Sequence, residues 1–230
     1  MPSITDTSEE MRVNAWFSSL PPAEQQALLS SSEVVTLQAG DCLFRQGDAP
    51  DGFCGLNRGR LKASTVREDG KEAILAVIEA GNWFGQTSMT QRLPRMRDVV
   101  ALDESTIFAV KPLAFEALMK NATFFRAIAD LQSIHMNWLY QMVEDVTLHS
   151  TRARIARRLL LLAYGDVTMA PQIRREITVS QDTLAMMLGI TRQTLALELK
   201  AMAAKGAVNL RYGRIEILSK EMLLAFQEYV

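Results

Sequence analysis

Four consecutive polar residues, Thr191, Arg192, Gln193 and Thr194, interrupt an otherwise apolar stretch, LAMMLGITRQTLALELKAM, at residues 184–202. Their chemistry is recognition by hydrogen bonding. An arginine guanidinium pairs with guanine O6 and N7, and a glutamine amide with adenine N6 and N7. Threonine hydroxyls and the backbone amides of a helix N-terminus hold phosphate oxygens. The spacing says how these groups are presented. Ser180 is placed to cap a helix over about 181–188, with Leu184, Ala185 and Leu188 on its core face. Gly189 suits the left-handed residue that ends a helix. Ile190 fills the angle, and Thr191 caps a second helix over about 192–205. Leu195, Leu199 and Met202 form the buried face of that helix, which leaves Arg192, Gln193, Ala196 and Lys200 outside. This is the plan of a helix-turn-helix, whose second helix enters the major groove with its N-terminal residues on base edges.

The segment that follows, NLRYGRIEI at 209–217, reads as a two-stranded ribbon turning at Tyr212–Gly213. Arg211 and Arg214 flank the turn, where a wing touches a DNA backbone. From Thr151 to Ile215, eleven Lys and Arg stand against four Asp and Glu, a local net charge of +7; the whole chain is −1, so the remainder carries −8. That asymmetry reads as a nucleic-acid module joined to an acidic sensing or dimerising module. Alone, the polar run is also compatible with an ordinary helical hairpin. The ribbon and the charge favour DNA.

Other chemistries lack their residues. An enzyme on a small metal-binding barrel needs several His and carboxylate ligands on strands, yet no His precedes His135. Neither a P-loop nor a GxSxG elbow is present. No metal and no cofactor is assigned. Cys42 and Cys54 fit neither a disulfide framework nor a zinc cluster and read as small core residues. No apolar run reaches the roughly 18 residues that span a bilayer, and the N-terminal segment has no apolar signal core. A cytoplasmic protein with no membrane partner is expected.

The elements around the polar run change texture along the chain. Trp16 to Leu29 reads as one short helix, with Pro22 in its first turn and Glu24 at the positive end of its dipole. From Val34 to Val110 short apolar runs alternate with Gly and Asp turns, as in an all-β sandwich or barrel. Between Pro112 and Tyr164 there is no glycine, which permits long helices. Phe124, Ile128, Leu131, His135, Leu139, Met142 and Val146 recur at steps of three or four. The stripe fits either an amphipathic helix packing on its own domain or a coiled-coil seam. At roughly 1.5 Å per residue, the stretch 121–149 is about 40 Å long, more than a small barrel can cover. Part of it is expected to meet a second copy in a parallel homodimer. Ser150 or Thr151 is placed to cap a helix over about 152–164, and a last helix is expected over about 220–229.

In this order the parts resemble the Crp/Fnr family of bacterial transcription regulators. ITVSQDTLAMMLGITRQTLALELKAMAAKGAVNLRYGRIEI is similar to that family's winged helix-turn-helix. AGDCLFRQGDAPDGFCGLNRGRLKA and AGNWFGQTSMTQRLPRMRDVVAL are similar to its cyclic-nucleotide-binding-type barrel. The resemblance runs from about Trp16 to Leu218 and implies an α+β fold. Its parts are an N-terminal jelly-roll β-barrel sensing an effector at 1–120, a dimerisation helix at 121–149 and a winged helix-turn-helix at 150–230. It implies a homodimeric transcription regulator on a palindromic double-stranded DNA site, with RNA polymerase as a further partner. Thr191, Arg192, Gln193, Thr194, Lys200, Arg211 and Arg214 are the implied DNA-binding residues. The family often has Glu where Gln193 stands and Arg where Leu197 stands, so the half-site is expected to differ.

The same resemblance places an effector pocket at Gly85, Gln86, Arg95, Met96, Arg97, Leu139 and Tyr140, and there the chain departs from the cyclic-AMP-responsive members. Gln86 replaces a Glu that takes the ribose hydroxyl, without the strength a charged acceptor gives. The phosphate-binding arginine is Arg95 when anchored on the following strand, or Arg97 with a shift. Met96 offers no hydroxyl after the first, and Asp98 repels phosphate after the second. Leu139 and Tyr140 stand where a Thr-Ser pair contacts adenine. Control by a cyclic nucleotide is therefore not expected, although a small-molecule effector of another kind remains open. A cyclic-AMP-responsive regulator and a ligand sensor without DNA binding are the alternatives. No N-terminal cysteine cluster is present for iron–sulfur sensing. His135 reads as a packed or partner-hydrogen-bonded seam residue, with a pH-responsive dimer as the alternative. Met89 and Met96 are placed to fill the pocket with the chain's own side chains.

Overall fold

The computed structural model describes residues 2–70, 72–164 and 175–227. Arg174 and Asp166 of the basic stretch, and the expected end of the last helix at Tyr229, lie outside them. The chain forms two compact units, and the boundary falls between Met136 and Asn137, inside a helix.

The first unit opens with helices α1 (Glu9–Val13), α2 (Ala15–Ser19) and α3 (Pro22–Ser30). The single helix expected from Trp16 to Leu29 is thus two helices. Leu20 precedes Pro21 and takes an extended conformation, as the proline ring demands, while Asn14 caps α2 through Phe17 N–H at 3.0 Å. Strands β1 (Ser32–Leu37), β2 (Cys42–Phe44), β3 (Phe53–Arg58), β4 (Arg60–Val66), β5 (Glu72–Glu79), β6 (Trp83–Phe84), β7 (Asp98–Ala101) and β8 (Ser105–Val110) form two antiparallel sheets, in the orders β1-β8-β3-β6 and β2-β7-β4-β5. Register is set by pairs such as Val34 with Phe108, Cys54 with Ala109 and Ala63 with Val99. The short β6, and helix α4 (Gln86–Gln91) after it, were not expected from the sequence.

Strands β3 and β8 of sheet β1-β8-β3-β6 are covered on both faces, which explains their nearly continuous burial. Cys54, Leu56, Ile107 and Ala109 pack with Leu61, Val99, Phe44 and Phe84 between the sheets. Phe53, Trp83, Phe108 and Val110 point the other way, onto α1–α3, α5 (Pro112–Leu118) and the start of α6 (Ala122–Leu148). This outer core is aromatic: Phe17 stacks on Trp83 with ring centroids 5.9 Å apart, and Trp16 Nε1 donates to the Ala127 carbonyl at 2.6 Å. Gly55 makes the packing possible, because a Cβ there would lie 2.7 Å from the Trp83 ring.

Helix α6 carries two stripes, not the one read from the sequence. Phe124, Ala127, Ile128 and Leu131 are buried in the outer core of the first unit. A second stripe, Phe125, Ala129, Gln132, Met136, Leu139, Val143 and Val146, follows alternating steps of four and three, and all of it is exposed except the half-buried Gln132. The expected seam mixed the two, because Leu139 and Val146 lie on the exposed stripe while Phe124, Ile128 and Leu131 do not.

The second unit contains α7 (Thr151–Tyr164), β9 (Glu176–Ile177), α8 (Gln181–Leu188), α9 (Arg192–Ala204), β10 (Val208–Arg211), β11 (Arg214–Ile217) and α10 (Lys220–Ala225). Ser150 caps α7 through Ala153 N–H at 3.2 Å. The ribbon gains β9 as a third strand, in the order β10-β11-β9. Ile155, Leu159, Leu184, Leu195, Leu199, Met202, Ile215 and Leu223 are buried and form the core of this unit. Gly55→Ala is expected to destabilise the first unit by about 1–3 kcal/mol, the usual effect of overpacking a filled core. Urea unfolding followed by tryptophan fluorescence checks this, and an unchanged midpoint would refute the role given to Gly55.

Candidate nucleic-acid interface and effector pocket

The break at Gly189 is built by backbone geometry. Gly189 has φ 65°, its N–H reaches back to the last turn of α8, and Ile190 N–H donates to the Ala185 carbonyl at 3.1 Å. Thr191 then caps α9, accepting from Thr194 N–H at 3.1 Å. The two threonine hydroxyls also bond each other at 2.8 Å. One hydroxyl proton therefore remains for an outside acceptor, and the phosphate-holding capacity read for Thr191 and Thr194 is one O–H rather than two.

The candidate DNA-contacting side chains of α9 and the ribbon are exposed apart from the half-buried Thr194, but several are paired. Arg192 lies 3.4 Å from Asp182 of α8, with both side chains more than half exposed. Arg211 meets Glu216 at 3.1 Å, and Arg214 meets Glu176 at 3.0 Å. Exposed pairs of this kind contribute only about 0–1 kcal/mol and exchange readily for phosphate. Gln193 and Lys200 are exposed, as is Tyr212 at the tip of the ribbon. The sequence offered no sign of these acidic partners, which come from other elements.

Four of the eleven cations behind the +7 excess lie on α7, and they are engaged by the fold. Arg152 bonds Glu198 at 2.6 Å, an interaction that raises its pKa. Arg154 donates to the Leu188 carbonyl at the end of α8, Arg157 pairs with Asp145, and Arg158 is buried. These arginines join helices of the second unit. The basic face that remains is narrower than the sum implied.

In the first unit, Gly85 takes φ 89° at the N-terminus of α4, and a Cβ there would come within 2.9 Å of Arg95 Nη1. Arg95 is 2% exposed, so between the two candidate arginines it is the one that points inward; Arg97 is half-exposed. Its two terminal nitrogens are already engaged, while Nε is buried without a hydrogen-bond partner among the described residues. Nη2 donates to Asp51 Oδ1 at 2.7 Å and to the Gly52 carbonyl at 2.5 Å, Nη1 reaches the Gly85 carbonyl at 3.4 Å, and the group lies 4.0 Å above the Phe44 ring. Asp51 and Gly52 were not among the residues read from sequence, since 44 and 43 positions separate them from Arg95. Gln86 is buried, but its amide turns to α6, where Nε2 donates to Gln132 Oε1 at 3.1 Å and meets His135 Nδ1 at 2.6 Å. His135 is thus hydrogen-bonded within its own chain.

The remaining pocket residues separate. Met96 is exposed, and Leu139 and Tyr140 are exposed on the part of α6 that belongs to the second unit. The methionine filling is not found: Met89 sits in the outer core, Met96 faces out, and the space between the sheets is closed by Phe44, Phe84, Leu61 and their neighbours. Among the described residues no cluster of His, Cys, Asp or Glu is placed to hold a metal ion, and no helix is long and apolar enough to cross a membrane.

Two family models match the chain: the cyclic nucleotide-binding domain over residues 34–122 and the Crp-like helix-turn-helix domain over residues 153–226. The chain belongs to the Crp/Fnr family. As a Crp/Fnr protein it is a DNA-binding transcription regulator and not an enzyme. It is 24% identical over 214 residues to the cyclic AMP receptor protein of Thermus thermophilus, covering 93% of this chain and 96% of that one. It is 21% identical over 211 residues to a CRP-like cAMP-activated global transcriptional regulator of Mycobacterium tuberculosis, covering 90% and 93%. FixK2 from Bradyrhizobium japonicum shares the fold with a TM-score of 0.76 at 14% identity, over 86% of this chain and 98% of that one. A CRP/FNR-family regulator from Thermus thermophilus aligns with a TM-score of 0.70 at 19% identity, over 86% and 99%.

The thiols of this Crp/Fnr protein are poorly suited to sensing. Burial pushes Cys54 up to about 12, and loss of solvation also raises Cys42. The thiolate is the reactive form, so burial holds Cys54 as the unreactive thiol at neutral pH. Native protein at pH 8 is expected to leave Cys54 unmodified by a thiol reagent until denaturant is added. Peptide mass analysis checks this, and rapid native labelling of Cys54 would contradict the burial.

Proposed function

We propose that this regulator binds a palindromic duplex as a parallel homodimer, with no cyclic nucleotide required. The observation that carries the DNA-reading part is the exposed start of α9. Arg192 and Gln193 stand at its N-terminal end, held there by the Gly189 turn and the Thr191 cap. Arg192 and Gln193 are the base readers in this reading. The Thr191–Thr194 pair, Lys200, Arg211 and Arg214 hold phosphates, and twofold symmetry places the two α9 helices in successive major grooves.

The dimer reading rests on the second stripe of α6. Apolar side chains at Phe125, Met136, Leu139, Val143 and Val146 are exposed at coiled-coil spacing, which favours association with an identical stripe. In this division of labour, residues 1–120 sense, 121–149 dimerise and 150–230 bind DNA, with RNA polymerase as the further partner in the cytoplasm. One of the two relatives is a cyclic AMP receptor protein and the other is cAMP-activated. In this chain, the pairing of Arg95 with Asp51 and the Gly52 carbonyl, and the engagement of Gln86 with α6, weigh against the same ligand. A small effector of different chemistry remains compatible with the barrel.

Arg192→Ala is expected to weaken specific binding by about 1–3 kcal/mol and to relax discrimination at one base pair. Titrations at fixed salt against duplexes differing at single positions check this, and an unchanged specificity ratio would sink the assignment. Val143→Glu places like charges opposite each other across the proposed seam without touching either core. Sedimentation is expected to report a monomer, and a dimer that persists would move the interface elsewhere.

A further inference from the structure

The buried face of α9 is complete without Leu197. Leu195, Leu199 and Met202 are fully buried, whereas Leu197 is 70% exposed. Leu197 follows Gln193 by four residues and precedes Lys200 by three, so the three share one face of the helix. Gln193 and Lys200 are exposed beside it, and its neighbours Ala196 and Ala201 are small. The leucine is therefore the protruding apolar group at the centre of a polar face, one turn or about 6 Å beyond Gln193.

A leucine can neither donate nor accept a hydrogen bond. Pressed against guanine O6, adenine N6 or cytosine N4, it leaves that group desolvated and unpaired, which is penalised. Only one base presents an apolar feature in the major groove, thymine through its C5-methyl. We infer that Leu197 is a specificity-determining residue that selects a thymine by contact with this methyl, within one or two base pairs of the position read by Gln193. This inference rests on the DNA-reading role of α9. The helix-turn-helix supplies polar readout at its first turn and apolar readout at its second, and the methyl contact replaces water over a side chain that the fold itself does not bury.

Deoxyuridine tests this directly, because it differs from thymidine only by the missing methyl. The preferred site of the full chain is first selected from a random duplex library at fixed salt. Each thymine is then replaced singly by deoxyuridine, and binding is measured for the native chain, Leu197→Ala and Arg192→Ala. One thymine per half-site is expected to show a loss of about fourfold, the equivalent of one buried methyl group. Leu197→Ala is expected to bind both duplexes equally, while Arg192→Ala keeps the fourfold ratio. Alanine at this exposed helical position does not threaten folding. Leu197→Arg is expected to move the preference at that position toward guanine. Selective binding with no deoxyuridine-sensitive thymine, or a sensitivity that survives Leu197→Ala, overturns the methyl contact and leaves the DNA-reading role standing. No sequence-selective, salt-sensitive duplex binding at all overturns both.

Discussion

A helix of 27 residues has more surface than one small domain can cover, and α6 is that helix. Its first turns must bury Phe124, Ile128 and Leu131 in the barrel unit, where Trp16 Nε1 also bonds the Ala127 carbonyl. The helical period then leaves Phe125, Met136, Leu139, Val143 and Val146 on another face, exposed in a single chain. Both requirements fall on one continuous element. In the proposed dimer, burying the exposed stripe against an identical one would satisfy the hydrophobic demand and join two chains along α6.

The buried arginine of the barrel shows how a family pocket can be altered without changing the fold. Arg95 is desolvated and needs compensating charge and acceptors. Asp51 and the Gly52 and Gly85 carbonyls provide them from the chain itself, and the Phe44 ring lies beneath the guanidinium. An anionic ligand at this point would compete with an internal carboxylate. At the start of α4, the buried Gln86 amide is tied to Gln132 and His135 of α6. Polar groups that serve a nucleotide in cyclic-AMP-responsive members connect parts of one unit here.

The basic residues of the second unit divide by element. On α7 they are structural, joined to Glu198, the Leu188 carbonyl and Asp145. On α9 and the ribbon they meet carboxylates only at the surface, where water and salt screen the attraction. The second group is therefore available for exchange with phosphate, whereas the first holds the unit that presents it.

The helix-turn-helix was legible residue by residue, because Ser180, Gly189 and Thr191 act through backbone geometry within a few positions of themselves. The strands of the barrel were legible through Gly and Asp turns between short apolar runs, and the length of α6 through the absence of glycine. The break at Leu20–Pro21 was also local, yet the helical pattern around it hid the effect of the proline. The rest depends on partners distant in sequence. Asp51 for Arg95, Gln132 and His135 for Gln86, and Asp182 and Glu176 for the arginines of α9 and the ribbon meet only after folding. By itself the sequence determined the order of elements and the polar start of α9. Tertiary structure alone decided which stripe of α6 stays exposed, which arginine turns inward and which cations remain free to exchange, because each depends on which surfaces packing removes from water.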